Sequence, residues 1–191
     1  MLALVQRFLG AETLDDGRLA LHTSRFDLAA LADHVVDRFR PAAARKDQAL
    51  AVESRGPAWV DGDRDWLKEV VDNLISNAVK YTPAGRRIWV SVAQAEGRVQ
   101  LRVRDEGPGL SADDQAKLFG RFQRLSAQPT GGESSTGLGL SIVKKVVEFH
   151  QGRVWAENAL GEGTTFVVEL DAPASESEPA SARIEDALAL A

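Results

Sequence analysis

Asn73, Asn77 and Lys80 are spaced so that, in a helix, they share one narrow stripe. The surrounding stretch, residues 66–82 (WLKEVVDNLISNAVKYT), predicts that helix, with Leu67, Val70, Val71, Leu74 and Ala78 as an apolar arc beside the stripe. Amide oxygens can ligate a hard cation such as Mg²⁺, and an ammonium can offset phosphate charge. The stripe therefore suits the wall of a polar ligand site. It also suits an ordinary amphipathic helix whose polar side carries asparagines.

Three other segments have residue types that could serve such a site. Asp105-Glu-Gly-Pro-Gly109 follows a predicted strand, so Asp105 could accept a hydrogen bond from an exocyclic amine while Gly107 and Gly109 allow close backbone approach. A plain glycine turn has the same pattern. Gly137-Leu-Gly-Leu140 opens a predicted helix, where free amides and the helix dipole favour an anion. Close packing of a helix entry on a sheet is the alternative there. Between them lie Phe119 and Phe122, expected in the core, and Arg121 and Arg124, expected on a solvated face. Tyr81 can simply complete the apolar face of its helix. No stretch fits GxxxxGK[ST], so a phosphate site here is not a P-loop. None of the histidines has neighbours that suggest a nucleophilic triad or a zinc site.

The elements that must position these residues follow from periodicity and punctuation. Residues 1–14 predict a short helix, broken at Asp15-Asp16-Gly17. Asp27 can cap a helix to about Ala44, and residues 49–53 alternate as a strand. Gly56-Pro57 is a turn, Asp63 can cap the helix of the polar stripe, and Pro83-Ala84-Gly85 ends it. Ile88, Val90 and Val92 alternate, as do Val99, Leu101 and Val103, and Glu96-Gly97 between them predicts a hairpin. Ser111 can start a short helix to Phe119, and residues 126–136 have the composition of a mobile loop. A helix over residues 137–150 precedes strands at 153–157 and 164–170, joined through a turn at Gly161-Glu-Gly163. From Ala172 the composition predicts a disordered tail. An antiparallel central pair with interspersed helices predicts an α/β (α+β) two-layer sandwich, a mixed sheet covered by helices on one face.

The chain has 191 residues, 44% of them hydrophobic and 27% charged, enough for one well-buried domain with extensions. A net charge of −5 argues against a broad nucleic-acid-binding surface, and the lack of cysteine excludes disulfides and thiolate metal sites. No apolar run reaches transmembrane length, so the expectation is a cytoplasmic segment without membrane contact.

The order NLISNAVKYT, DEGPGL, LFGRFQRL, STGLGLSIVK resembles the catalytic, ATP-binding domain of two-component sensor histidine kinases: its asparagine box, first glycine box, phenylalanine box and second glycine box. HQGRVWAENALGEGTTFVVEL also fits, so the resemblance covers roughly residues 26–171. It implies the Bergerat fold, with ATP and Mg²⁺ as cofactors. It implies that Asn77 coordinates the Mg²⁺, with Asn73 beside it, that Lys80 contacts phosphate, and that Tyr81 packs near an adenine whose amine Asp105 recognises. Gly107 and Gly109 would shape that pocket and residues 126–136 would form the ATP lid. Thr136, Gly137, Leu138, Gly139 and Leu140 would meet the phosphates through the backbone, and Arg121 or Arg124 would help position the γ-phosphate or the acceptor helix. Related ATPases of the gyrase type carry a glutamate where this chain has Asn73. An amide cannot act as the general base for water, so the resemblance leans toward phosphoryl transfer rather than hydrolysis.

A complete kinase of this kind needs a phosphoacceptor histidine, and the chain has no match. His34 begins HVVDRFRP with its proline at Pro41, too late for the family pattern, and neither His22 nor His150 fits. Residues 1–25 resemble the end of a dimerisation helix plus linker, which implies that the chain begins inside a longer, homodimeric kinase. Its expected partners are the dimerisation and histidine-phosphotransfer domain of the same kinase and the receiver domain of a response regulator. In the lid, Ser134-Ser135-Thr136 stands where many members have a glycine. Two other readings remain: a serine kinase of the anti-sigma-factor type, and a docking module that keeps the fold without nucleotide.

Overall fold

The computed structural model describes residues 21–121, 123, 126–131 and 137–173. The helix expected over residues 1–14, its break, Phe122, Arg124, the Ser134-Ser135-Thr136 segment and the tail from 174 onward lie outside the described residues.

Asp27 ends strand β1 (Thr23–Asp27) and caps helix α1 (Leu28–Arg45), its Oδ1 accepting from the N–H groups of Ala29 and Ala58, each at 2.9 Å. Strand β2 (Ala49–Val52) follows. Strand β3 (Trp59–Asp63) then leads into helix α2 (Arg64–Tyr81), which carries the polar stripe. Asp63 accepts from Asp65 and Trp66 N–H and so caps α2, as expected. Strands β4 (Arg87–Ala95) and β5 (Arg98–Asp105) form the expected hairpin. Its two-residue turn has Glu96 at φ 51 and Gly97 at φ 73, the paired positive values that match the twist of adjacent strands. Helix α3 (Ala112–Lys117), helix α4 (Gly139–Phe149) and strands β6 (Arg153–Ala159) and β7 (Gly163–Asp171) complete the described elements.

The main sheet has five strands in the order β2-β4-β5-β7-β6, with β2 parallel to β4 and the other neighbours antiparallel. It is the mixed sheet with helices on one face that the sequence implied. Alternation along β4, β5 and β7 buries Ile88, Val90, Val92, Leu101, Val103, Phe166 and Val168, and these join Val35, Leu67, Val71, Leu74, Val143 and Val147 of the helices in one core. On the outer face, the Arg104 guanidinium lies 4.9 Å from the Trp89 ring centroid.

One part of the architecture differs from expectation. β1 and β3 pair antiparallel as a separate two-stranded sheet, where the sequence predicts no strands. His150, at the end of α4, ties this region to the helices: its Nε2 accepts from Asp63 N–H at 3.0 Å, and its Nδ1 lies 2.7 Å from the Val146 carbonyl. Among the described residues, no helix is long and apolar enough to cross a membrane.

Candidate functional site

α2 presents its apolar arc to the core, with Leu67, Val70, Val71, Leu74 and Ala78 all buried, and this leaves Asn73, Asn77 and Lys80 half-buried at its margin. Asn73 sits between its own helix and the start of α4. Its Nδ2 donates to the Glu69 carbonyl at 2.8 Å, and a Cβ added at Gly139 would stand 2.8 Å from its Oδ1. The first residue of α4 is thus glycine because the helix start comes down directly on Asn73. α4 has no side-chain cap at its start, so its first amides and the positive end of its dipole are presented beside the asparagine stripe.

Next to this junction is a partly open cleft with about 460 Å³ of empty volume. Asn77 and Tyr81 of α2 form one wall, and Pro108, Gly109 and Leu110 another. Thr164, Phe166, Leu140 and Ala127 close it into a mainly apolar pocket. At its base is Asp105, only 6% exposed. Burial pushes this carboxyl up to about 6, and backbone hydrogen bonds from Gly107 and Thr164 offset only part of that rise. Gly107 N–H donates to Asp105 Oδ1 at 2.8 Å, and a Cβ at Gly107 would fall 2.6 Å from the same oxygen. Gly109 takes φ +72. A buried carboxylate facing an apolar slot is suited to accept hydrogen bonds from a flat polar ligand.

The structure thus brings Asn77, Tyr81, Asp105, Gly109 and Leu140 to one cleft and Gly107 against Asp105, while Asn73 and Gly139 meet each other outside its lining. Gly137 takes φ +67 and Leu138 is the residue before α4, so both lead into the helix start. Lys80 is not part of the cleft lining. Its carbonyl accepts from Thr130 N–H at 2.9 Å and from Lys46 Nζ at 3.2 Å. Arg121 is exposed beyond α3 and also stands outside the lining. Arg124 and Thr136 lie outside the described residues.

The segment expected to be a mobile loop is tied down over its described part. Ser126 N–H donates to Asp114 Oδ1 at 2.9 Å and its hydroxyl donates to the same carboxylate, while the Ser111 hydroxyl reaches Asp114 Oδ2 at 2.8 Å. The Ser126 hydroxyl is the main cause that holds the Asp114 carboxyl below the usual carboxylate range. Thr130 Oγ1 donates toward the Lys80 and Thr82 carbonyls, each at 3.0 Å. Residues 126–130 are thereby pinned at both ends, with Ala127 facing the cleft between the pins.

Sequence reasoning did not assign the β6–β7 hairpin to the site. Gly161-Glu-Gly163 is the turn it predicted, but Gly163 does more: a Cβ there would fall 1.8 Å from the Asp105 carbonyl oxygen. Asn158 hydrogen-bonds both backbone groups of Leu110, and Thr164 lines the cleft. The signal present in the sequence was the glycine pair flanked by Asn158 and Thr164, which a turn alone does not require.

Among the described residues no group of three or more His, Cys, Asp or Glu is placed to hold a metal. On the α2 side of the cleft the side-chain amide oxygen donors are those of the asparagine stripe. That donor set suits Mg²⁺, which is commonly held by one or two protein ligands together with phosphate oxygens and water.

A profile of the histidine kinase-, DNA gyrase B- and HSP90-like ATPases matches residues 62–174. The sensor protein kinase PmrB of Pseudomonas aeruginosa is 35% identical over 175 residues, which cover 92% of this chain and 36% of the relative. The sensor histidine kinase WalK of Bacillus subtilis is 31% identical over 172 residues, covering 89% of this chain and 28% of the relative. Among solved structures, the mycobacterial sensor histidine kinase MprB aligns with a TM-score of 0.68 at 31% identity, covering 78% of this chain and 97% of that one. Full-length ShkA in complex with AMPPNP aligns with a TM-score of 0.74 at 29% identity, covering 88% of this chain and 35% of that one. The chain spans about a third of the length of the curated relatives it matches.

Proposed function

Because the chain belongs to the histidine kinase-, DNA gyrase B- and HSP90-like ATPases, as the catalytic, ATP-binding domain of a two-component sensor histidine kinase, we propose that it binds Mg²⁺–ATP in the Asp105 cleft and presents the γ-phosphoryl to a histidine of a separate dimerisation domain. The observation that carries this reading is the pairing of a buried carboxyl at the base of an apolar slot with an asparagine stripe and a glycine-started helix at its side. Asp105 accepts from the adenine amine, while Tyr81 and Leu140 flank the base. The amide oxygen of Asn77 ligates Mg²⁺, which supplies charge neutralisation at the phosphates, and Asn73 borders the same position. Amides at the start of α4, from Gly137 to Leu140, receive phosphate oxygens. Lys80 contacts phosphate, and Arg121 or Arg124 helps to position the γ-phosphate or the acceptor helix. An amide at Asn73 in place of a carboxylate leaves water without a general base, so the bound ATP is kept for a protein nucleophile.

In this reading residues 26–171 are the catalytic unit, residues 1–25 lead from the dimerisation helices, and residues 172–191 are a tail. The whole kinase is a cytoplasmic-facing homodimer, whose phosphohistidine passes its phosphoryl group to a receiver-domain aspartate of a response regulator. Calorimetric titration with ATP, with and without Mg²⁺, tests the site on the wild type and Asn77→Ala. Mg²⁺-dependent binding that the variant loses is the expected result. Undiminished Mg²⁺-dependent binding in the variant removes Asn77 from the metal site, and no binding by the folded wild type overturns the proposal.

A further inference from the structure

Residues 106–111 form neither helix nor strand, yet Pro108, Gly109 and Leu110 build one wall of the cleft. A loop without a backbone ladder must have its polar groups satisfied from elsewhere, and the partner that satisfies them decides where the wall stands. Here that partner is the end of the β6–β7 hairpin. Asn158, paired with Thr164 in the β6–β7 ladder, accepts Leu110 N–H on Oδ1 at 2.6 Å and donates from Nδ2 to the Leu110 carbonyl at 2.7 Å. The Thr164 hydroxyl donates to the same Oδ1 at 3.1 Å, which orients the amide so that its donor faces the carbonyl. Gly161 N–H adds a third tie, to the Pro108 carbonyl at 2.9 Å.

We infer that Asn158 is a positioning residue for nucleotide-base recognition, holding the Leu110 wall at the distance from Asp105 that admits adenine. The inference rests on the nucleotide reading of the cleft. Asn158 touches Leu110 rather than the base, so its effect travels through one residue. A side-chain amide suits the role because it offers a donor and an acceptor in one plane, as a neighbouring strand would. A carboxylate in its place keeps the acceptor but sets an oxygen against the Leu110 carbonyl. The hydrogen bonds of this clamp run to Leu110 and Thr164 rather than to α2 or the start of α4, so base recognition and phosphate binding should separate.

The test uses Asn158→Asp and Asn158→Ala in calorimetric titrations with Mg²⁺–ATP and Mg²⁺–GTP, alongside amide hydrogen exchange at Leu110. Both variants are expected to weaken ATP binding about tenfold and GTP binding by less than about twofold, since each leaves the Leu110 carbonyl without its donor and Asn158→Ala also removes the acceptor for Leu110 N–H. Protection of the Leu110 amide should stay near wild type in Asn158→Asp, which keeps the acceptor, and fall in Asn158→Ala. Equal weakening of both nucleotides marks general destabilisation and overturns the inference, as does unchanged ATP affinity. Should the wild type bind neither nucleotide, the nucleotide reading fails and the inference with it. Leu110 protection in Asn158→Ala then reports separately whether the clamp exists as a structural tie.

Discussion

Burial raises the Asp105 carboxyl from 3.8 to about 6, and this makes nucleotide binding pH-dependent in a way that can be worked out beforehand. In the unliganded protein the carboxyl carries a proton below about pH 6. An adenine amine that donates to Asp105 favours the anion, so binding releases that proton and lowers the carboxyl again. Affinity is therefore full above about pH 7 and lost as the pH falls through about 6, roughly tenfold per unit below that point. Between about pH 7.5 and about pH 5 the expected weakening is about tenfold, or about 1.4 kcal/mol. Folding stability has the opposite sign. A carboxyl raised on folding contributes about 3 kcal/mol that is fully present below the unfolded value of 3.8 and lost as pH rises through about 6. The assay is calorimetric titration with ATP across this range, in buffers of different ionisation enthalpy to count protons released, on the wild type and Asp105→Asn. The nucleotide's own phosphate titration enters both proteins equally and cancels in the difference. A pH slope shared by wild type and Asp105→Asn would refute the reasoning.

Two substitutions at glycines separate fold from site. Gly163→Ala places a Cβ 1.8 Å from the Asp105 carbonyl oxygen at a residue with φ +96, and rigid backbone on both sides cannot yield. Urea unfolding should show a loss beyond about 3 kcal/mol, and a wild-type midpoint would disprove the close approach of the hairpin. Gly139→Ala instead meets the Asn73 amide oxygen at 2.8 Å, a group able to rotate away. Its unfolding free energy should stay within about 1 kcal/mol of wild type, since alanine favours the helix. ATP affinity should nonetheless fall about tenfold or more through displaced Asn73, and wild-type affinity would detach Asn73 from the site.

Much of this domain was legible along the chain because the signals are local. The α2 stripe, its Asp63 cap and its apolar arc all lie within one helix, so periodicity alone placed Asn73, Asn77 and Lys80 together. The β4–β5 hairpin was equally plain, since alternation and the Glu96-Gly97 turn agree. The ordered motifs supplied the family. Other features have no local sign. β1 and β3 escaped because five residues bearing Asp61, Gly62 and Asp63 do not alternate as a half-buried strand should; their pairing joins segments some 36 residues apart, as between Arg25 and Asp61.

The cleft depends on the same kind of distant closure. Asn158 meets Leu110 across 48 residues, Thr130 meets Thr82 across 48, and Gly163 gains its importance only where the chain returns to Asp105. Residue type and spacing made Asp105 a candidate acceptor. Its raised affinity for a proton comes from desolvation, which exists only once β5, β7 and α2 have closed around it. Periodicity reports which face of an element is apolar because that preference is carried residue by residue. Burial of a charge and hydrogen bonds between distant segments belong to the assembled packing, and no window of sequence contains them.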